Sequence, residues 1–560
     1  MLGLMSERPL LVSAIITHAA TYHGDVEIVS RTVEGPIHRY TYADAERRAK
    51  RLARALLRLG IAPGDRVATL AWSTFRHFEL YYAISGMGAV CHTINPRLFD
   101  DQIVYIVNHA ADRLLFVDAT FLPLVERLAS RFPADCRIVL MTGADAAVVT
   151  ELPVLPCYEQ LIAAEREDFI WPEFDERTAA ALCYTSGTTG NPKGALYSHR
   201  STVLHAFAIS LPDTMSLSAR EVVCPVVPLF HVCGWGIPFA APMNGAKLVL
   251  PGTRLDAESL YELFEAEGVT YGLGVPTIWL GVDAYLTASG RQCPTLRRLF
   301  SGGSAVPPSL IEAYARRGID LVHAWGMTEM SPLGTVAALK AKHRSLDPQA
   351  ELTLKAKQGR PIFGVELKLV DDEGRAQPHD GKAIGELLVR GPWIVRGYFA
   401  DPPATAAAVE PDGWFHTGDM AVIDPDGYLQ ITDRRKDVIK SGGEWISSID
   451  LENAAVADPD VAEAAVIAVP DERWGERPLL IVMPHPGRRP EPDQLLALLA
   501  RQFPKWMLPD EVVCIDEMPH TATGKIMKTR LRELFCGARV PGAVSWRSTL
   551  GQRGSGVRGR

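Results

Sequence analysis

Between residues 179 and 194 an apolar run, Ala179-Ala180-Ala181-Leu182-Cys183-Tyr184, passes directly into Thr185-Ser186-Gly187-Thr188-Thr189-Gly190-Asn191-Pro192-Lys193-Gly194. A short buried strand is thereby made to end in a turn with four hydroxyls and three glycines. Glycine lets backbone N–H groups converge on an anion without a Cβ in the way, the hydroxyls add donors, and Lys193 adds positive charge. That is phosphate chemistry on the end of a strand. A mobile Ser/Gly loop is the bland alternative, and the fixed Pro192-Lys193-Gly194 ending argues against it. The spacing also differs from the P-loop, which needs Gly, four residues and then Gly-Lys-Ser/Thr. Gly524-Lys525 near the C-terminus has Pro519 where the first glycine should stand.

A chain of 560 residues exceeds one hydrophobic core, so several folding units are expected. Strand-like runs (Arg66–Leu70, Leu114–Val117, Arg137–Leu140) alternate with helical ones, which predicts α/β layers with parallel sheets. Thr41-Tyr42-Ala43-Asp44 predicts a capping box opening an amphipathic helix that runs to Gly60, with Ala45, Ala49, Leu52, Ala53 and Leu56 on its apolar face. The helix carries Arg47, Arg48, Lys50, Arg51, Arg54 and Arg58, read as solvated surface rather than an anion site. Beyond residue 360 the texture changes. Leu367–Val370 runs into Asp371–Gly374, and Ala421–Ile423 into Asp424–Gly427, both read as β-hairpin turns of a β-rich subdomain. The charged cluster Asp433–Asp437 marks a boundary, so the expected domains are 1–432, a small α/β unit at 433–540, and an unstructured tail at 541–560.

A net charge of −8 gives no general attraction to nucleic acid or anionic lipid. Nine scattered cysteines without a Cys-x-x-Cys pair suit reduced thiols, and no secretory signal is visible, so a cytoplasmic location is expected. Val222–Met243 has no charged residue, but Pro225, Pro228, Pro238 and Pro242 break any spanning helix, so it is read as buried strand and loop.

Further turns carry polar groups. Thr328 and Glu329 follow Ala324-Trp325-Gly326-Met327 and offer oxygen ligands to Mg2+, although a Thr-Glu pair also caps helices. Ser301-Gly302-Gly303-Ser304-Ala305 suits close approach of a flat ring, and equally a plain tight turn. Asp419 could accept from both hydroxyls of a ribose, or simply form an Asx turn. Arg434, Arg435, Lys436 and Lys440 cluster at the domain boundary, and Lys525 lies on a Thr/Gly loop.

In order and approximate spacing, these motifs resemble the ANL adenylating superfamily of acyl-CoA synthetases, peptide-synthetase adenylation domains and luciferases, over roughly residues 40 to 535. The resemblance implies ATP, Mg2+ and coenzyme A. It implies that Thr185, Ser186, Gly187, Thr188, Thr189 and Lys193 hold the ATP phosphates, and that Thr328 and Glu329, with Thr185, serve the α-phosphate and Mg2+. Gly302, Gly303, Ser304 and Ala305 with Trp325 and Gly326 would frame adenine, while Asp419 and Arg434 would hold the ribose. Lys525 would be the adenylation lysine and Lys436 the hinge. Rotation of the C-terminal domain would then exchange Lys525 for Lys440 with Gly442, Gly443 and Glu444. Two positions depart from the family: Trp325 replaces the common tyrosine and His323 the common glutamine.

Pro228–Gly236 surrounds one histidine with aromatic and small residues, as an apolar pocket requires. By resemblance His231, Trp235, Val275 and Gly302 line the acid site, with Trp235 matching the gating tryptophan of the fatty acyl-CoA synthetase branch. Lys440–Ser448 and Leu352–Lys357 are similar to medium- and long-chain fatty acid ligases, and His92–Phe99 leans towards 3-methylmercaptopropionyl-CoA ligases. The expected reaction is ATP-dependent ligation of a carboxylic acid to coenzyme A, with medium-chain acids favoured and 3-(methylthio)propionate as the alternative. A homodimer is an expectation from the same resemblance. A peptide-synthetase module, a luciferase-like oxygenase and a non-enzymatic lipid-binding protein are the rivals.

Overall fold

The computed structural model describes every residue except 2, 147, 186–190, 436, 442–443, 472, 521–525, 537–543 and 548–560. Among the described residues the strands form four sheets. One holds Arg137–Leu140, Leu114–Val117, Arg66–Leu70, Val90–Thr93, Ala179–Tyr184 and Gly194–Ser198 in that spatial order, parallel but for the last pair. The three strands expected from apolar runs keep their predicted bounds, because strands covered on both faces read as continuous hydrophobic stretches. A second sheet runs from Arg360–Pro361 through Asp320–Gly326, Arg298–Ser301 and Tyr271–Gly274 to Ile37–Thr41, with a parallel centre and antiparallel edges. Helices fill the space between these sheets, giving the mixed α/β architecture.

Thr41 caps the helix Tyr42–Arg58 in a full capping box with Asp44, and Ala45, Ala49, Leu52, Ala53 and Leu56 are buried. Its basic face is not simply solvated, as the sequence suggested. Arg48 binds Glu79 and Glu159, while Arg54 and Arg58 meet Glu165, so an acidic segment lies across it. Val222–Met243 also departs from strand and loop alone. Strand Val222–Pro225 is followed by helix Ile237–Asn244, with Pro238 in its first turn, where a missing N–H leaves no bond unmade.

The third sheet is antiparallel: Glu366–Val370, Gly385–Arg390, Phe415–Ile423 and Leu429–Arg434. Asp424–Gly427 closes the expected hairpin, pairing Ile423 with Leu429. Asp371–Gly374 does reverse the chain, bridging Val370 to Ala376, yet the strand before it takes Gly385–Arg390 as its sheet partner. The fourth sheet begins at Ile439 and centres on the hairpin of Val461–Asp471 with Gly475–Pro484. Its outer strand, Val544–Arg547, lies inside the stretch expected to be an unstructured tail and pairs antiparallel with Glu511–Cys514. Among the described residues no helix is long and apolar enough to cross a membrane.

Candidate active site

The stem of the glycine loop is a closed hairpin mouth. Thr185 N–H donates to the Lys193 carbonyl at 2.9 Å, and Lys193 N–H donates to Thr185 Oγ1 at 3.1 Å. Ser186, Gly187, Thr188 and Thr189 lie outside the described residues. Lys193 Nζ sits 5.0 Å above the centroid of the Tyr398 ring. The Tyr398 hydroxyl donates to Glu329 Oε1 at 2.8 Å, so one tyrosine touches both the loop lysine and the metal-binding candidate. Glu329 is 6% exposed. Burial pushes its carboxyl up, while the Tyr398 hydrogen bond and the charges of Arg434 and Lys193 act against that shift. Tyr197 donates to the Thr328 carbonyl at 2.5 Å, fixing the preceding residue.

Two strand ends carry the adenine candidates. Strand Arg298–Ser301 delivers the turn Gly302–Ala305, and strand Asp320–Gly326 runs parallel beside it. A Cβ on Gly302 would stand 2.7 Å from the Ala324 carbonyl oxygen, and one on Gly326 only 2.0 Å from that of Pro332. Glycine is therefore a steric demand at both positions. Asp419 and Arg434 are cross-strand partners on the antiparallel sheet. Arg434 Nε meets Asp419 Oδ1 at 2.7 Å, and Trp325 Nε1 donates to Asp419 Oδ2 at 3.1 Å. The tryptophan that replaces the common tyrosine thus gains a hydrogen bond to the ribose candidate. His323 is buried with Nδ1 2.9 Å from the Ala356 carbonyl, and burial pushes it down to about 4, leaving a neutral ring.

A cavity of about 420 Å³ collects Gly303, Ser304, Ala305, Trp325, Gly326, Asp419 and Arg434. His520 and Ile526–Thr529 line the same space, so the chain on both sides of Lys525 shares a cavity with Trp325, Asp419 and Arg434. Lys525 itself, with Lys436, Gly442 and Gly443, lies outside the described residues. Lys440 is in the lining of neither this cavity nor the acid cavity; its Nζ lies 4.8 Å over the Trp445 ring, and Glu444 flanks it on the paired strand.

The second cavity, about 280 Å³, brings together His231, Trp235, Val275 and Gly302, with Val226, Val227 and Phe230 completing an apolar wall. It opens past Gly303, Trp325 and Gly326 to Glu329 and Arg434, so the two cavities share a border. Trp235 belongs to a left-handed run from Val232 to Gly236, with φ between 39° and 76° at each residue. Tyr398 and Tyr197, which bond Glu329 and the Thr328 carbonyl, were not singled out from the sequence; the one available signal was an aromatic pair, Tyr398-Phe399, directly after Gly397 in a loop.

Among the described residues no group of three or more His, Cys, Asp or Glu could hold a metal by itself. One buried carboxylate beside hydroxyl-bearing loops instead suits a hard cation shared with substrate phosphates, as Mg2+ prefers.

Residues 16–399 match the AMP-binding enzyme family, and residues 450–525 match the C-terminal domain of the same enzymes. The chain belongs to the AMP-binding enzyme family. It is 52% identical to the 3-methylmercaptopropionyl-CoA ligase of Ruegeria pomeroyi over 96% of this chain and 99% of that protein. Against the medium-chain-fatty-acid–CoA ligase of Ectopseudomonas oleovorans the identity is 48%, covering 96% and 98%. The crystal structure of the anthranilate CoA ligase AuaEII in complex with anthranoyl-AMP superposes with a TM-score of 0.84 at 25% identity, covering 94% of this chain and 98% of that one.

Proposed function

We propose that this enzyme is an AMP-forming acyl-CoA ligase that activates carboxylic acids, medium-chain acids foremost. The observation that carries the reading is the shared border of the two cavities: an acid lying along Phe230, His231 and Trp235 presents its carboxylate beside Trp325, Glu329 and Arg434. There a carboxylate oxygen attacks the α-phosphorus of ATP, the bond to the bridging oxygen breaks, and pyrophosphate leaves. The thiol of coenzyme A, losing its proton, then attacks the acyl carbon and AMP departs.

Asp419 accepts from the ribose hydroxyls, held at its angle by Arg434 and Trp325. Trp325 and the turn Gly302–Ala305 flank adenine, and Lys193 with the Thr185 loop takes the β- and γ-phosphates. Glu329 with Thr185 would hold Mg2+, which supplies charge neutralisation on the phosphates. Lys525 stabilises charge on the α-phosphoryl oxygens during adenylation; the position of Ile526–Thr529 in the nucleotide cavity supports this role. Lys440, with Gly442, Gly443 and Glu444, serves the thioester step after rotation at Lys436.

A second reading, ligation of 3-(methylthio)propionate, is favoured by the 52% identity to a ligase named for that acid. Pyrophosphate release from C2 to C18 acids and 3-(methylthio)propionate, with and without coenzyme A, tests both. A peak at C6 to C10 supports the first reading and a peak at the thioether acid the second. A flat profile refutes the apolar pocket, and bound acid with no pyrophosphate release would make this a lipid-binding protein. The scattered cysteines support a cytoplasmic setting, and the resemblance supports a homodimer, which sedimentation velocity reads directly.

A further inference from the structure

Resting on the reading of Glu329 and Lys193 given above, we propose that Tyr398 is a positioning residue that sets the metal–phosphate geometry of the site. Its local structure singles it out. Residues 395–399 form a strap fastened at both ends. Val395 N–H donates to the Glu329 carbonyl at 2.9 Å, and Phe399 N–H donates to the Gly194 carbonyl at 2.8 Å. One end is thus tied to the metal-binding candidate and the other to the close of the phosphate loop. Tyr398 N–H donates to Thr405 Oγ1 at 2.9 Å, which fixes the residue between the two ties.

From that fixed point the side chain serves both ligands. A tyrosine hydroxyl has one proton, and here it goes to Glu329 Oε1. The bond sets the plane of a buried carboxyl and leaves the other oxygen for a cation. The face of the same ring carries the Lys193 ammonium, 5.0 Å from the centroid. The spacing between the metal ligand and the phosphate ligand is therefore set through one rigid ring. Removing the outer partner of a metal ligand typically lowers metal affinity about 10- to 100-fold.

The test uses the full-length enzyme with α,β-methylene-ATP and Mn2+, free Mn2+ being counted by electron paramagnetic resonance. Binding of the analogue in EDTA is measured in parallel by calorimetry. Tyr398→Phe keeps the ring and loses only the hydroxyl. It is expected to weaken Mn2+ binding about tenfold or more, with metal-free analogue binding within about twofold of wild type, a split that general loosening of the fold does not produce. Tyr398→Leu is expected to weaken metal-free binding as well, by about threefold, through loss of the ring under Lys193. Glu329→Gln should lose at least as much Mn2+ affinity as Tyr398→Phe, and the double variant should be no worse than Glu329→Gln alone. Wild-type Mn2+ affinity in Tyr398→Phe beside a weakened Glu329→Gln overturns the proposal and leaves the site reading intact. Wild-type affinity in Glu329→Gln overturns both. If Tyr398→Phe does not fold, Thr405→Val frees the tyrosine backbone without touching either ligand; weakened Mn2+ binding with unchanged metal-free binding supports the proposal, and no change overturns it.

Discussion

Asp419 offers the sharpest separation of stability from binding. The side chain is 2% exposed, and its partners include Trp325 Nε1, which donates at 3.1 Å, and Arg434 Nε at 2.7 Å. Asp419→Ala strands the indole N–H of a buried tryptophan, which costs about 1 to 3 kcal/mol. Arg434 is 43% exposed and recovers water, so its lost ion pair adds no more than about 1 kcal/mol. A fall in stability of about 1 to 4 kcal/mol is therefore expected. Asp419→Asn keeps the shape and one acceptor, so its stability should stay within about 1 kcal/mol of wild type. Nucleotide binding should respond differently. With Asp419 as the proposed ribose acceptor, both variants should lose charge-assisted bonds worth about 1.5 to 3 kcal/mol, or roughly 10- to 100-fold in Kd. Urea denaturation reads the first quantity and calorimetric titration with ATP the second. If Asp419→Asn bound ATP as well as wild type, the carboxylate would not be the ribose acceptor, and Asp419 would merely hold Trp325 and Arg434 in place.

Lys525→Ala should lower acid-dependent pyrophosphate exchange by on the order of 10²-fold or more while still converting supplied acyl-AMP and coenzyme A to thioester; Lys440→Ala should show the reverse, and equal loss of both half-reactions in either variant refutes the division of labour. Gly326→Ala places a Cβ 2.0 Å from the Pro332 carbonyl oxygen, a backbone atom that no rotamer can move aside. About 1 to 3 kcal/mol of destabilisation is expected, and a variant as stable as wild type would show that this strand end is pliable. Burial pushes the Asp118 carboxyl up to about 7, and one of its oxygens has no hydrogen-bond partner among the described residues. A carboxyl that is a weaker acid when folded stabilises fully below the unfolded value near 4, and that contribution is lost as pH rises through 7. The stability of Asp118→Asn relative to wild type should therefore grow between pH 4 and pH 8, by at most about 4 kcal/mol; a pH-independent difference refutes the buried charge.

Where local physics decides the structure, the sequence was legible. The capping box at Thr41, the apolar strands Arg66–Leu70, Leu114–Val117 and Arg137–Leu140, and the Asp424–Gly427 reversal each depend on residues adjacent in the chain. The candidate site could be assembled from sequence where its residues stand in one short run, just past a strand end at Thr185 and Gly302 and within a strand at Asp419. Long-range pairing was not. Tyr398 reaches Glu329 across 69 residues, and Arg48 reaches Glu79 and Glu159 across 31 and 111. The strand Val544–Arg547 escaped for another reason, since its ladder with Glu511–Cys514 is backbone bonding and needs no apolar pattern.

The left-handed run at residues 232–236 explains why the acid wall resists sequence reading and what it contributes. Val232, Cys233 and Trp235 sit at φ of 39°, 41° and 54°, where each L-residue costs roughly 1 to 2 kcal/mol. Such a turn persists only when its surroundings over-determine it. Tyr81 and Ser73 hold Leu229 by its carbonyl and its N–H, at 2.5 and 3.1 Å. Gly234 and Gly236 leave room for Leu229 and His205, which any Cβ would meet at 2.7 and 2.8 Å. The strain is stored, therefore, in a segment fixed from both sides, and its product is the placement of one indole. A Cβ on Gly302 would come within 3.5 Å of Trp235, so the indole abuts the turn Gly302–Ala305. Trp235 is thereby packed against a turn whose next residue, Gly303, lines both cavities, and a right-handed loop at 232–236 would surrender that packing.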